Sequence, residues 1–138
     1  MVEEPASEKK TLAMMLFSGP YGHKDADHMC HIAECALDKG YGVEIFLYGE
    51  GVHAQLKDQA PKLFFNVGNA LERLVQKGAV IKSCVRCSKA RGYIDGEFDD
   101  AQDRYPSSKS IDAVKIYSLY GFIDMLKKGD KLLTFGSS

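Results

Sequence analysis

With 138 residues, 45% hydrophobic and 27% charged, the chain has the make-up of one ordinary globular domain. A net charge of -1 gives no electrostatic reason to expect nucleic acid or an anionic membrane as a partner. No apolar run approaches the roughly 20 residues that cross a bilayer, and the acidic start Met1-Val2-Glu3-Glu4-Pro5 lacks the basic and apolar regions of a signal peptide. These features predict a cytoplasmic protein: a flexible charged tail over residues 1–10, then one domain over 11–138.

Leu12-Ala13-Met14-Met15-Leu16-Phe17 is a short continuous apolar run, broken by Ser18-Gly19-Pro20-Tyr21-Gly22. A buried strand ends in a loop this way. Residues 24–39 predict a helix, with Ala26, Met29, Cys30, Ala33, Ala36 and Leu37 on one face and Gly40 as its stop. Val43 to Tyr48 is a second strand, closed by Gly49-Glu50-Gly51. Residues 52–65 carry no clear period and predict a short helix and a loop around Pro61. Asn66 can cap the next helix, whose stripe is Val67, Ala70, Leu71, Leu74 and Val75 and whose end is Gly78.

Ala79-Val80-Ile81 opens a third strand that delivers Cys84 at its carboxyl end. Residues 94–110 are polar and predict a long loop; Ala113 to Tyr117 is a fourth strand. Residues 119–128 predict a helix with Phe122, Ile123, Met125 and Leu126 as apolar positions, and Lys131 to Phe135 is the last strand. Short apolar strands alternating with helices predict an α/β fold: a mostly parallel five-stranded sheet covered on both faces. Ligands in such sheets gather beyond the carboxyl ends of the strands. That rule makes Cys84 a candidate, with Gly19, Pro20, Tyr21, Gly51 and His53 lining the site from neighbouring loops.

Cys84-Val85-Arg86-Cys87-Ser88-Lys89-Ala90-Arg91-Gly92 concentrates the chemistry. In a reducing cytosol a close cysteine pair points to catalysis, redox work or metal rather than to a structural disulfide. A thiol is nucleophilic as thiolate, and cations or a helix start favour that form. Arg86, Lys89 and Arg91 are therefore the expected thiolate-stabilising groups. A Cys84 thiolate could attack a persulfide and carry its outer sulfur; Cys87 could close a disulfide with it. The plainer alternative is that Cys84 is a small buried hydrophobe.

Other candidates are weaker. Structural zinc commonly takes two paired motifs, and one Cys-x-x-Cys is present. His28, His31 and Cys35 share a helix face opposite the apolar stripe, which predicts a solvated or subunit-facing surface; no metal or cofactor is expected. The Ser18–His23 loop lacks the glycine-lysine signature of a phosphate cradle and reads as a turn. His53 is a possible acid or base.

Three segments resemble the DsrE family of DsrE/TusD-like sulfur-relay proteins. They are Leu16 to Gly22, Val43 to Val52, and the cysteine motif with Cys84 at the sulfur-accepting position. The tail from Gly129 to Phe135 also suits the family, so the likeness spans residues 11–136. The resemblance implies a flavodoxin-like three-layer sandwich and a cytoplasmic sulfurtransferase or sulfur carrier holding a persulfide on Cys84. It implies a homo-oligomer, a trimer or hexamer, that meets sulfur-donor and sulfur-acceptor proteins. Intracellular sulfur oxidation and tRNA thiolation are the settings it brings. Alternatives are a non-enzymatic subunit or regulator of a sulfur-relay complex, and a dithiol redox protein using Cys84 and Cys87. Cys87 marks a Cys-x-x-Cys variant of the pattern.

Overall fold

The computed structural model describes residues 9–137. Most of the expected tail, residues 1–8, lies outside them. The strands are β1 (Thr11–Leu16), β2 (Gly42–Leu47), β3 (Val80–Cys84), β4 (Val114–Tyr117) and β5 (Lys131–Phe135). The helices are α1 (Asp25–Asp38), α2 (Val67–Gln76), the short α3 (Val85–Ala90) and α4 (Leu119–Lys128). A 3-10 segment, Gly49–Gln55, occupies part of the stretch that gave no period.

Local chemistry sets these bounds. Asn66 caps α2, its Oδ1 accepting from the Asn69 amide at 2.9 Å. The Ser118 hydroxyl accepts from the Tyr120 amide at 3.3 Å and starts α4. Asp25 and Asp27 sit in the first turn of α1, where they oppose the positive end of the helix dipole.

The five strands form one sheet in the order β4-β3-β2-β1-β5, and every neighbouring pair is parallel. Alternate side chains go to opposite faces. Met14, Leu16, Ile45, Leu47 and Ile81 pack with Met29 and Ala33 of α1 and Leu71 and Leu74 of α2. Ala13, Met15, Phe46 and Cys84 pack on the other face with Met125 and Phe122 of α4. The result is a three-layer α/β sandwich whose strands are near-continuously apolar because both faces are covered. Phe46 is fully buried, and its ring lies 5.5 Å from that of Phe122. Burying one side chain of this size contributes about 1.5–3 kcal/mol.

The α4 layer is thinner than its sequence pattern predicts. Phe122 and Met125 face the sheet, but Ile123 and Leu126 are exposed, as are Leu119 and Tyr120. Edge strand β5 likewise leaves Leu132 and Leu133 exposed. A ten-residue helix directs about half of its circumference at the sheet, and four further apolar residues fall on the outer half. Among the described residues no helix is long and apolar enough to cross a membrane.

Candidate functional site

Strand β3 ends at Cys84, which is also the residue before the first turn of α3. Residues Ile81, Lys82, Ser83 and Cys84 alternate faces, so Cys84 turns toward the α4 layer and Ser83 toward the α1–α2 layer. Cys84 pairs in register with Tyr117 of β4 and is 1% exposed. Cys87 follows one helical turn later, half-buried, and packs against both core clusters. Its Sγ accepts a hydrogen bond from the Gly49 amide at 3.3 Å. The two thiols are neighbours.

Burial pushes the Cys84 thiol up from its ordinary value, and the adjacent Cys87 thiol adds to the rise. The backbone N–H groups of Cys87 and Arg86 pull the other way without overcoming it. Arg86, Lys89 and Arg91 therefore do not produce the depressed thiol that their positions in sequence suggest. Arg86 and Lys89 are exposed and line a cleft of about 460 Å³ with Val85, Ile94, Asp95 and Tyr105. Arg91 is committed elsewhere: its Nη1 donates to the Cys87 carbonyl at 2.8 Å, and its Nη2 pairs with Glu50. Charge in the sequence does not specify aim, and here the cations face solvent or a carboxylate.

The lining residues divide into two groups. Gly51 is tightly packed against β1: a Cβ there would sit 2.1 Å from the Leu16 carbonyl oxygen. His53 is held on both ring nitrogens, Nε2 to Glu50 at 2.8 Å and Nδ1 to the Tyr93 hydroxyl at 2.6 Å. Gly19 lies beside Glu50 and His53. A continuous polar chain thus runs from the Cys87 carbonyl through Arg91, Glu50 and His53 to Tyr93. Arg91 first, then His53, holds the Glu50 carboxyl below its ordinary value. Pro20 and Tyr21 lie in the turn before α1. The Tyr21 hydroxyl is turned to Gln59 at 2.5 Å and to the Val67 amide at 3.3 Å, so it braces the start of α2.

The residue that sequence missed is Gln55. It is fully buried at the end of the 3-10 segment. Its Oε1 accepts from the Ser83 hydroxyl at 2.7 Å and the Ser110 hydroxyl at 3.3 Å. Its Nε2 donates to the Ser88 hydroxyl at 3.0 Å, and its backbone carbonyl accepts from the Ile111 amide at 2.8 Å. One side chain therefore ties the residue before Cys84 to the residue after Cys87. The signal available in sequence was Ser83 and Ser88 flanking the cysteines, each able to occupy a core only with a partner.

His28, His31 and Cys35 are exposed on α1, and the His31 Nδ1 meets the Asp27 carbonyl at 2.7 Å. Among the described residues no three His, Cys, Asp or Glu side chains converge on a metal-sized site. Cys30 is in the core, where burial pushes its thiol up to about 12.

Comparison with known proteins bears on this geometry. The model of the DsrE/DsrF-like family matches residues 10–135. An uncharacterised protein of Methanocaldococcus jannaschii is 30% identical over 88% of this chain and 96% of its own length. One from Methanopyrus kandleri is 29% identical over 90% of this chain and 93% of its own. Among solved structures, the ychN protein of E. coli superposes with a TM-score of 0.75 at 24% identity, covering 92% of this chain and 99% of its own. A conserved protein of unknown function from Bacteroides thetaiotaomicron gives 0.58 at 16% identity, covering 89% and 93%. At those identities the two structures speak for the fold alone.

Proposed function

The chain belongs to the DsrE/DsrF-like family, and from that premise we propose that it is a sulfur carrier whose Cys84 accepts sulfane sulfur as a persulfide and passes it to an acceptor thiol. The observation that most supports this is the pair of adjacent thiols at the carboxyl end of β3, one buried and one half-buried. Hydrogen bonds from the Gly49–Gln55 segment brace the motif: the Gly49 amide donates to the Cys87 Sγ, and the Gln55 side chain bonds the Ser83 and Ser88 hydroxyls. Sulfur moves by thiolate attack on the outer atom of a persulfide. One sulfur–sulfur bond forms as another breaks, with no net oxidation. A buried seat such as that of Cys84 shields the carried sulfur from bulk thiols.

The cleft lined by Arg86 and Lys89 opens beside α3, and it is where a donor or acceptor protein would approach. Exposed apolar residues on α4 and β5 suit assembly of copies into a homo-oligomer, a trimer or hexamer. The setting proposed is the cytoplasm, where thiols remain reduced.

The test is incubation with a polysulfide, removal of the donor, and mass mapping of each cysteine peptide. One added sulfur atom on the Cys84 peptide is the expected result, with the lasting adduct lost in Cys84→Ser. A Cys84–Cys87 disulfide with no added sulfur would instead identify a dithiol redox protein. No change at either cysteine would leave the non-catalytic subunit.

A further inference from the structure

We propose a division of labour within the motif: Cys87 is the entry thiol that takes sulfur from the donor, and Cys84 is the inner thiol that receives it from Cys87 and stores it. The inference rests on the carrier reading above and adds an order to it. Cys84 is 1% exposed, enclosed by Ala13, Met15, Phe46 and Met125. A donor persulfide on another protein cannot reach that sulfur while the α4 layer is in place. Cys87 is half-buried, lies one turn further along α3, and touches the same cluster from its rim. It is partly exposed and adjoins Cys84.

The chemistry then runs in two exchanges. The Cys87 thiolate attacks the outer sulfur of the donor persulfide; the donor's one sulfur–sulfur bond breaks and the donor leaves as thiolate. Cys87 now carries the persulfide. Cys84 attacks that outer sulfur, the bond to the Cys87 Sγ breaks, and Cys87 leaves as thiolate. The proton lost by Cys84 neutralises the departing Cys87. One sulfur atom has moved inward, with no oxidant or reductant needed.

Two features give this transfer its direction. The Gly49 amide donates to the Cys87 Sγ, and such a donor assists the departure of that sulfur in an exchange. Arg91 secures that arrangement, since it grips the Cys87 carbonyl and pairs with Glu50, the residue after Gly49. Burial acts oppositely on Cys84 and disfavours its thiolate. A persulfide on Cys84 therefore has a poor leaving group and holds its sulfur longer than one on Cys87.

The test is rapid-quench loading with glutathione persulfide, followed by peptide mapping. Cys84→Ser is expected to gain one sulfur on Cys87 at the wild-type initial rate and to lose it quickly to added thiol. Cys87→Ser and Cys87→Ala are expected to load Cys84 at least about ten-fold more slowly than wild type, the entry step being gone. Wild-type loading of Cys84 in both Cys87 variants overturns the relay while leaving the carrier intact. A folded Cys84→Ser protein that gains no sulfur also overturns it. A wild-type protein that gains no sulfur on either cysteine overturns the carrier reading itself, and the relay with it.

Discussion

Replacing Gln55 by Leu keeps the volume of a fully buried side chain and deletes its hydrogen-bonding groups. Ser83 and Ser88, both fully buried, then lose their partner, while Ser110 keeps the Ile111 carbonyl at 3.3 Å. A buried polar group left unsatisfied costs about 1–3 kcal/mol. Two stranded hydroxyls therefore predict a loss of roughly 2–6 kcal/mol. Against a typical total of about 5–15 kcal/mol that is a large fraction. Urea denaturation measures it as a fall in midpoint at unchanged slope.

The same reasoning makes a second, sharper demand. Removing both ends of a hydrogen bond is far milder than removing one. The triple variant Gln55→Leu, Ser83→Ala, Ser88→Ala is thus expected to be more stable than Gln55→Leu alone. A triple variant no better than the single, or a single variant within about 0.5 kcal/mol of wild type, refutes the assignment of Gln55 as the brace of the cysteine motif.

Gly51→Ala forces a methyl group to within 2.1 Å of the Leu16 carbonyl oxygen. It is expected to cost about 1–3 kcal/mol by thermal or urea unfolding, because backbone has to move. Cys30 has its thiol raised from 9.0 to about 12. Its contribution is complete below 9.0 and is lost as pH rises toward 12, since the unfolded chain ionises first. Stability measured across that window is expected to fall, and Cys30→Ala to flatten the fall. Ile123→Lys with Leu126→Lys places two charges on the exposed face of α4. Sedimentation is expected to show the proposed homo-oligomer shifted to monomer, with the far-UV spectrum unchanged.

The strands and long helices were legible because their burial is periodic. The run Leu12 to Phe17, the stripe of α2 and the cap at Asn66 each carry a local physical signal. Placement of Cys84 at a strand end followed from the same pattern. The brace at Gln55 was not legible, because a lone glutamine in an irregular stretch has no period to betray its burial. Its partners lie 28, 33 and 55 residues away. The aim of Arg91 was hidden for a similar reason: Glu50, which claims it, is 41 residues distant. Ile123 and Leu126 of α4 show the converse, since apolar character alone does not tell which half of a helix meets the sheet.

The Gly49–Gln55 segment grips the motif at both ends, the Gly49 amide on the half-buried thiol and the Gln55 side chain beneath the strand end. A 3-10 helix turns about 120° per residue. Inserting or deleting one residue between the two grips would swing one of them a third of a turn from its target. This short segment therefore has a spacing that cannot be edited without losing one grip. It works as a ruler: the distance it fixes sets where the Cys87 thiol stands relative to the end of β3.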